Sequence, residues 1–202
     1  MKKKVIILVG WLILVLILFN TYRILDDGRE KELAIIGEWN DYVLLENASE
    51  YEQELFALLS DEKSDEELAE IIFKLFIANF YSLELAKTSS DVRGVQFVYE
   101  PFQDDIINIG RESIYERVES SYFGRRQQNL PTVVDVVVSE IEESTFLIEA
   151  TEETEEKEYK SYVISGEIVY DKDQGYRKEL VGEVIINNGR YDMVSLQTEL
   201  FE

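Results

Sequence analysis

The sequence predicts an α+β domain displayed outside a membrane by an N-terminal anchor. Three observations carry this. An unbroken apolar block over residues 5–19 comes directly after Lys2, Lys3 and Lys4. Between Ser64 and Phe123 apolar residues recur at helical spacing, and from Thr132 the period changes to two. Tight-turn signals, above all Asn187-Asn188-Gly189-Arg190, punctuate that second half. The chain then divides into a cytoplasmic tail and transmembrane anchor (1–22), a helical stalk (23–63) and an extracytoplasmic α+β domain (64–202).

The anchor reading rests on the length of the apolar block and on the residues just beyond it. With Tyr22 as an interfacial aromatic, the segment is just long enough for roughly 30 Å of hydrocarbon. A cleaved signal peptide would end at a small-x-small site, whereas Phe19, Tyr22, Ile24 and Leu25 are bulky. The three lysines hold the N-terminus in the cytoplasm and leave the remainder outside, in a single-pass arrangement.

Composition excludes several functions. All 42 acidic residues lie beyond residue 22 with 17 of the 20 basic ones, which leaves that part at −25. Such a field repels nucleic-acid backbones and anionic lipid, so the membrane is held by the N-terminal helix alone. There is no cysteine and no histidine. A packed core must therefore hold the fold, and histidine-based triads and zinc sites are ruled out. No cofactor or metal is expected; carboxylate pairs, Lys, Tyr or Ser remain for catalysis, and the anchor, the stalk and these absences together favour a non-enzymatic domain.

Along the chain, Ile35, Trp39, Tyr42 and Leu45 step by four, three and three, which suits a helical stalk that breaks near Asn47. Ser64 with Glu67 makes a capping box for a helix whose apolar residues cover most of its circumference. Residues 95–99 suit a short strand, and Pro101 opens a helix running to Tyr122. Five alternating rows complete the pattern: Val134/Val136/Val138, Phe146/Ile148/Ala150, Tyr162 to Tyr170, Leu180 to Ile186, and Val194/Leu196/Leu200. Gly166 and Gly182 interrupt two of them and predict a bend in a curved antiparallel meander. A chain beginning near Ser60 is expected to fold alone.

Charge-rich stretches mostly read as solvated surface. Residues 149–158 lack the glycine a calcium loop needs, and Asp171–Gly175 lacks the distal glutamate, so both read as hairpin tips. Arg125 and Arg126, a basic pair at the elbow between helix and sheet, read in two ways. They cap helical carbonyls, or they dock an acidic partner through the guanidinium fork.

The helix stretch EELAEIIFKLFIANFYSLELA, the stretch FQDDIINIGRESIYERVESSYF and the Asn129-Leu130-Pro131 entry into TVVDVVVSEIE carry a resemblance over about residues 64–200. In order and hydrophobic pattern this resembles the nuclear-transport-factor-two-like (cystatin-like) cone. It is similar in particular to the bitopic assembly subunit of type IV secretion and conjugation systems. The resemblance implies a membrane-anchored scaffold that contacts other subunits of a membrane complex and self-associates. Because relatives of the cone also hold ligands between helix and sheet, the alternative is a tethered ligand-binding or sensory domain. Tyr99, Tyr115 and Tyr162 are the polar candidates for such a pocket.

Overall fold

The computed structural model describes residues 33–121, 126–149 and 156–197. The N-terminal anchor expected at residues 1–22 lies outside these. Among the described residues no helix is long and apolar enough to cross a membrane.

The stalk expected over residues 23–63 is not one helix. Its described part begins as a β-hairpin, β1 (Ile35–Trp39) and β2 (Tyr42–Leu45), paired antiparallel with Trp39 opposite Tyr42. The loop is Asn40-Asp41, both at positive φ (46° and 70°), and Asn and Asp adopt that conformation most readily after glycine. The four-three-three spacing arises here because residues flanking a two-residue turn happen to match helical steps. Only after Ser49 does a helix start, α1 (Glu50–Leu58), closed by a Ser49–Glu52 capping box. Leu55, Phe56 and Leu59 are buried in the common core, so hairpin and helix belong to the domain instead of leading to it.

The hairpin is pinned at three points. Tyr42 is fully buried, and its hydroxyl donates to the Tyr191 carbonyl. Gln96 pairs with both backbone groups of Val43, at 2.9 and 3.0 Å, in the manner of a neighbouring strand. Asn40 donates to the Gly189 carbonyl at 2.8 Å and so ties one hairpin tip to another.

The expected capping box at Ser64 and Glu67 opens α2 (Asp65–Tyr81). Ten of its seventeen residues are buried, and α2 lies across all four strands of the main sheet. Residues 95–99 form a 3-10 turn (Val95–Phe97) instead of the expected strand. Gly94, at φ 81°, turns the chain so that Phe97 enters the core, and Val98 alone bridges to Met193. The helix expected to reach Tyr122 is shorter. A 3-10 turn holding Pro101 leads into α3 (Gln103–Glu112), which stops where Tyr115 is drawn into the core. The Tyr115 hydroxyl donates to the Phe80 carbonyl at 2.7 Å and accepts from the Arg93 amide, which fixes the exit direction.

Among the described residues the meander has four strands, in the order β3 (Val133–Ile148), β4 (Lys157–Tyr170), β5 (Glu179–Asn187) and β6 (Arg190–Gln197), all antiparallel. The first two rows expected from the sequence are one sixteen-residue strand. Its register shifts between Val133 and Asp135 and again between Val138 and Glu140. These bulges slip the side-chain parity, so Val133 and Val136 face the core while Val134 faces solvent. The turn at Asn188-Gly189 is as expected, with φ 54° and 85°. Gly182 marks a close approach, because a β-carbon there would lie 2.8 Å from the Phe73 ring of α2.

Candidate functional site

Two cavities flank α2. The larger, about 650 Å³, lies between α2, α3 and β6. Its walls are the aromatic ladder of α2, the inner face of α3 and the β6 side chains Met193 and Leu196. Phe76 and Phe80 stack at 5.3 Å, and Tyr81 meets Phe80 edge-on at 5.2 Å, so this wall is rigid as well as apolar. Ile106 and Ile109 of α3 form the opposite side. Ile109 is 59% exposed, a large apolar side chain left at the mouth. Gly110 sets how closely α3 approaches, since a β-carbon there would sit 3.0 Å from Val92.

Few polar groups reach this cavity: Asp105, Ser113, Ser195, Tyr81 and Arg177. Ser113 donates to the Ile109 carbonyl within its own turn. Burial pushes the Tyr81 phenol up to about 12, against the opposing pull of Arg177, so it stays neutral at physiological pH. The Arg177 Nε donates to the Glu179 carbonyl at 3.2 Å. Its Nη2 is buried and has no hydrogen-bond partner among the described residues.

The smaller cavity, about 320 Å³, lies beside β2, α1 and the Val95–Phe97 turn. Its base is a buried ion pair, Arg93 to Glu52 at 3.3 Å, with side chains 9% and 1% exposed. Arg93 Nε and Asn47 Oδ1 are unpaired there among the described residues, a setting suited to ordered water. Desolvation raises the Glu52 carboxyl despite Arg93, and raises Asp192 despite Arg190.

The two raised groups set an acid response. A raised folded-state pKa contributes stability that is fully present below the unfolded value and lost as pH rises through the folded value. Glu67 and Asp173 are lowered by hydrogen bonds from Ser64 and Gly175, so their contribution is lost only as pH falls below the usual carboxylate range. The melting temperature should therefore rise as pH falls from neutral toward the usual carboxylate range, helped by relief of the net −22 charge. Differential scanning calorimetry across that window checks this, and a steady fall would contradict it.

The expected site residues are scattered. Tyr115 and Tyr162 are buried, Tyr99 meets the Tyr159 hydroxyl at 3.2 Å, and none of the three lines the larger cavity. Arg125 lies outside the described residues. Arg126 turns inward, its side chain 6% exposed, and donates to the carbonyls of Glu84 and Ala86 beside the Glu84 carboxylate. It closes the 3-10 turn Leu83–Leu85 just beyond α2. Arg126→Gln should therefore cost about 1–3 kcal/mol, because charged bonds to two carbonyls are lost in a buried setting. Urea unfolding measures it, and a change under about 0.5 kcal/mol, the ordinary range for a surface position, would return Arg126 to the surface role.

Sequence reasoning misses Arg177 and the Glu52–Arg93 pair. The only signal for Arg177 is a cation placed between a turn and a strand. No family model, curated protein or solved structure matches this chain.

Proposed function

We propose that this chain is a membrane-tethered, non-enzymatic binding domain whose larger cavity receives an apolar guest. The observation that carries the reading is the cavity itself. It is about 650 Å³, apolar on three sides, and open at a mouth lined by Ile109. Volumes of about 300–1,000 Å³ with few polar groups are typical of small-molecule sites. The non-enzymatic part rests on the absence of histidine and cysteine, which removes the usual general base and thiol nucleophile. The tether rests on the lysine-led apolar block. The nuclear-transport-factor-two-like resemblance is in keeping with a pocket between helix and sheet.

The test is a fluorescence titration of the full chain in lipid nanodiscs with an environment-sensitive apolar fluorophore, with empty nanodiscs as the blank. Ile106→Trp fills the cavity and should weaken binding at least tenfold, about 1.4 kcal/mol. Unchanged binding by a folded Ile106→Trp protein would remove the reading.

A second reading, an assembly subunit of a secretion or conjugation-like envelope complex, has its own observation. Val134, Val137, Leu147 and Val169 are each 38–52% exposed along β3 and β4. Val137 pairs with Glu167 and Asp135 with Val169, which makes the two valines diagonal neighbours on one face, and β3 is an edge of the sheet. Exposed valines interleaved with Asp135 and Glu167 at a sheet edge suit another subunit or a second copy. Val137→Lys should then abolish co-purification of those subunits while leaving fluorophore binding intact.

A further inference from the structure

The two edges of the main sheet are treated differently by the fold. Beside β6 runs the segment after the Val95–Phe97 turn, where Val98 bridges to Met193 and the Tyr99 amide donates to the Met193 carbonyl at 2.9 Å. The first residues of β3 are capped as well. The Val133 amide donates to the Ser82 hydroxyl at 3.0 Å, and the Val136 amide to the Tyr51 hydroxyl at 2.9 Å. Beyond the bulge that follows Val138 the capping ends. Residues 140–148 pair with β4 on one side, and no other described strand pairs with them. Alternate residues of such a strand turn their amides and carbonyls outward, which is a template for another strand.

Register fixes the side chains along this open edge. Ile141 lies opposite Ile164 and both pack toward the core, so Glu140 and Glu142 stand on the other face, away from α2. Glu167 and Glu179 share that face, directly opposite one another on β4 and β5. All four are exposed, and none has an ion-pair partner among the described residues. Like charges set directly opposite weaken a sheet, and no described cation offsets this pair. Val137 and Val169, both exposed, lie on the same face.

We infer that the open edge of β3 takes up an extended, basic segment of a partner protein, added as a further strand with Lys or Arg side chains over Glu140 and Glu142. This deepens the assembly reading above and rests on it, by naming the partner's chemistry. Main-chain bonds to a sheet edge supply affinity, and alternate side chains supply choice. The spacing fits, because residues two apart on an added strand share one face, as Glu140 and Glu142 do. Charged residues on an edge keep unwanted strands away. Here they turn away a second copy, which brings the same acidic edge and the same net charge of −22.

The probe is the end-blocked peptide Lys-Val-Lys-Val-Lys-Val-Lys, with Glu-Val-Glu-Val-Glu-Val-Glu as its counterpart. Each is titrated calorimetrically at low salt into the full chain in phosphatidylcholine nanodiscs, with empty nanodiscs subtracted. Amide hydrogen exchange is then read on the complex. The basic peptide should bind, the acidic one should not, and exchange should slow over residues 140–148. Glu140→Gln/Glu142→Gln should weaken the basic peptide at least tenfold, and Glu140→Lys/Glu142→Lys should take the acidic one instead. Melting curves confirm that each variant is folded, and should the lysine variant not fold, the glutamine variant decides. No binding of the basic peptide, equal binding by wild type and Glu140→Gln/Glu142→Gln, or binding without slower exchange in β3 would overturn the inference. So would a chain that dimerises with its β3 amides already protected, which would give the edge to a second copy. The assembly reading survives those results if Val137→Lys still loses its subunits. Retention of the subunits by Val137→Lys would overturn both.

Discussion

A chain beginning at Ser60 will lose cooperative folding. The sequence alone predicts the opposite, because residues 23–63 read as a separable stalk. The cut removes Tyr42, Leu55, Phe56 and Leu59, all buried in the same core as α2. At about 1.5–3 kcal/mol for each large apolar side chain, this matches the whole stability of an ordinary domain, about 5–15 kcal/mol. The cut also strips Arg93 of Glu52 and Gln96 of its Val43 partner. Near-ultraviolet circular dichroism and thermal melting should show a loosely packed state, whereas a chain beginning at Leu33 melts cooperatively. Equal melting temperatures for the two would restore the stalk.

Glu52→Ala should be the most damaging single substitution outside the apolar core. Removing one partner of a buried ion pair leaves the other charge unpaired and costs about 3–5 kcal/mol. Glu52 also accepts the Ser49 amide in the capping box of α1, a helix-end contact worth about 1 kcal/mol. Arg93 has no alternative acceptor of full charge among the described residues, since Asn79 at 3.5 Å is neutral. The double replacement Glu52→Leu with Arg93→Met should recover much of the loss, because two apolar side chains replace two desolvated charges. Urea denaturation of the single and double variants separates these effects. A double variant as weak as Glu52→Ala would mean that the capping role dominates.

Local chemistry makes part of this fold legible. The Ser64–Glu67 box marks the true start of α2, and Asn188-Gly189 marks the last hairpin, because each signal is satisfied by atoms a few residues apart. What is illegible depends on distant partners. Asn40-Asp41 is a weak turn signal until Asn40 reaches Gly189 and Tyr42 reaches Tyr191. The end of α3 is set by the Phe80 carbonyl, which captures Tyr115 from 35 residues away. On β3 Val136 and Val138 keep the expected inward face, but the bulge between Val133 and Asp135 turns Val133 inward in place of Val134. In the basic pair, Arg126 fits the capping reading, but the carbonyls it binds belong to a 3-10 turn forty residues earlier and not to the adjoining helix. Arg177, a residue of the cavity lining, sits in a stretch that reads only as a hairpin loop. Its environment comes from α2, which no local pattern couples to it.

Amide hydrogen exchange of the full chain in nanodiscs, with and without saturating apolar fluorophore, tests the cavity most directly. Occupancy should slow exchange in peptides covering α3 and β6, the two elements that form its walls with α2. The turn Val95–Phe97 and β2, which border the smaller cavity, should be unchanged. Protection confined to β2 and that turn, or no protection at saturation, would contradict the account.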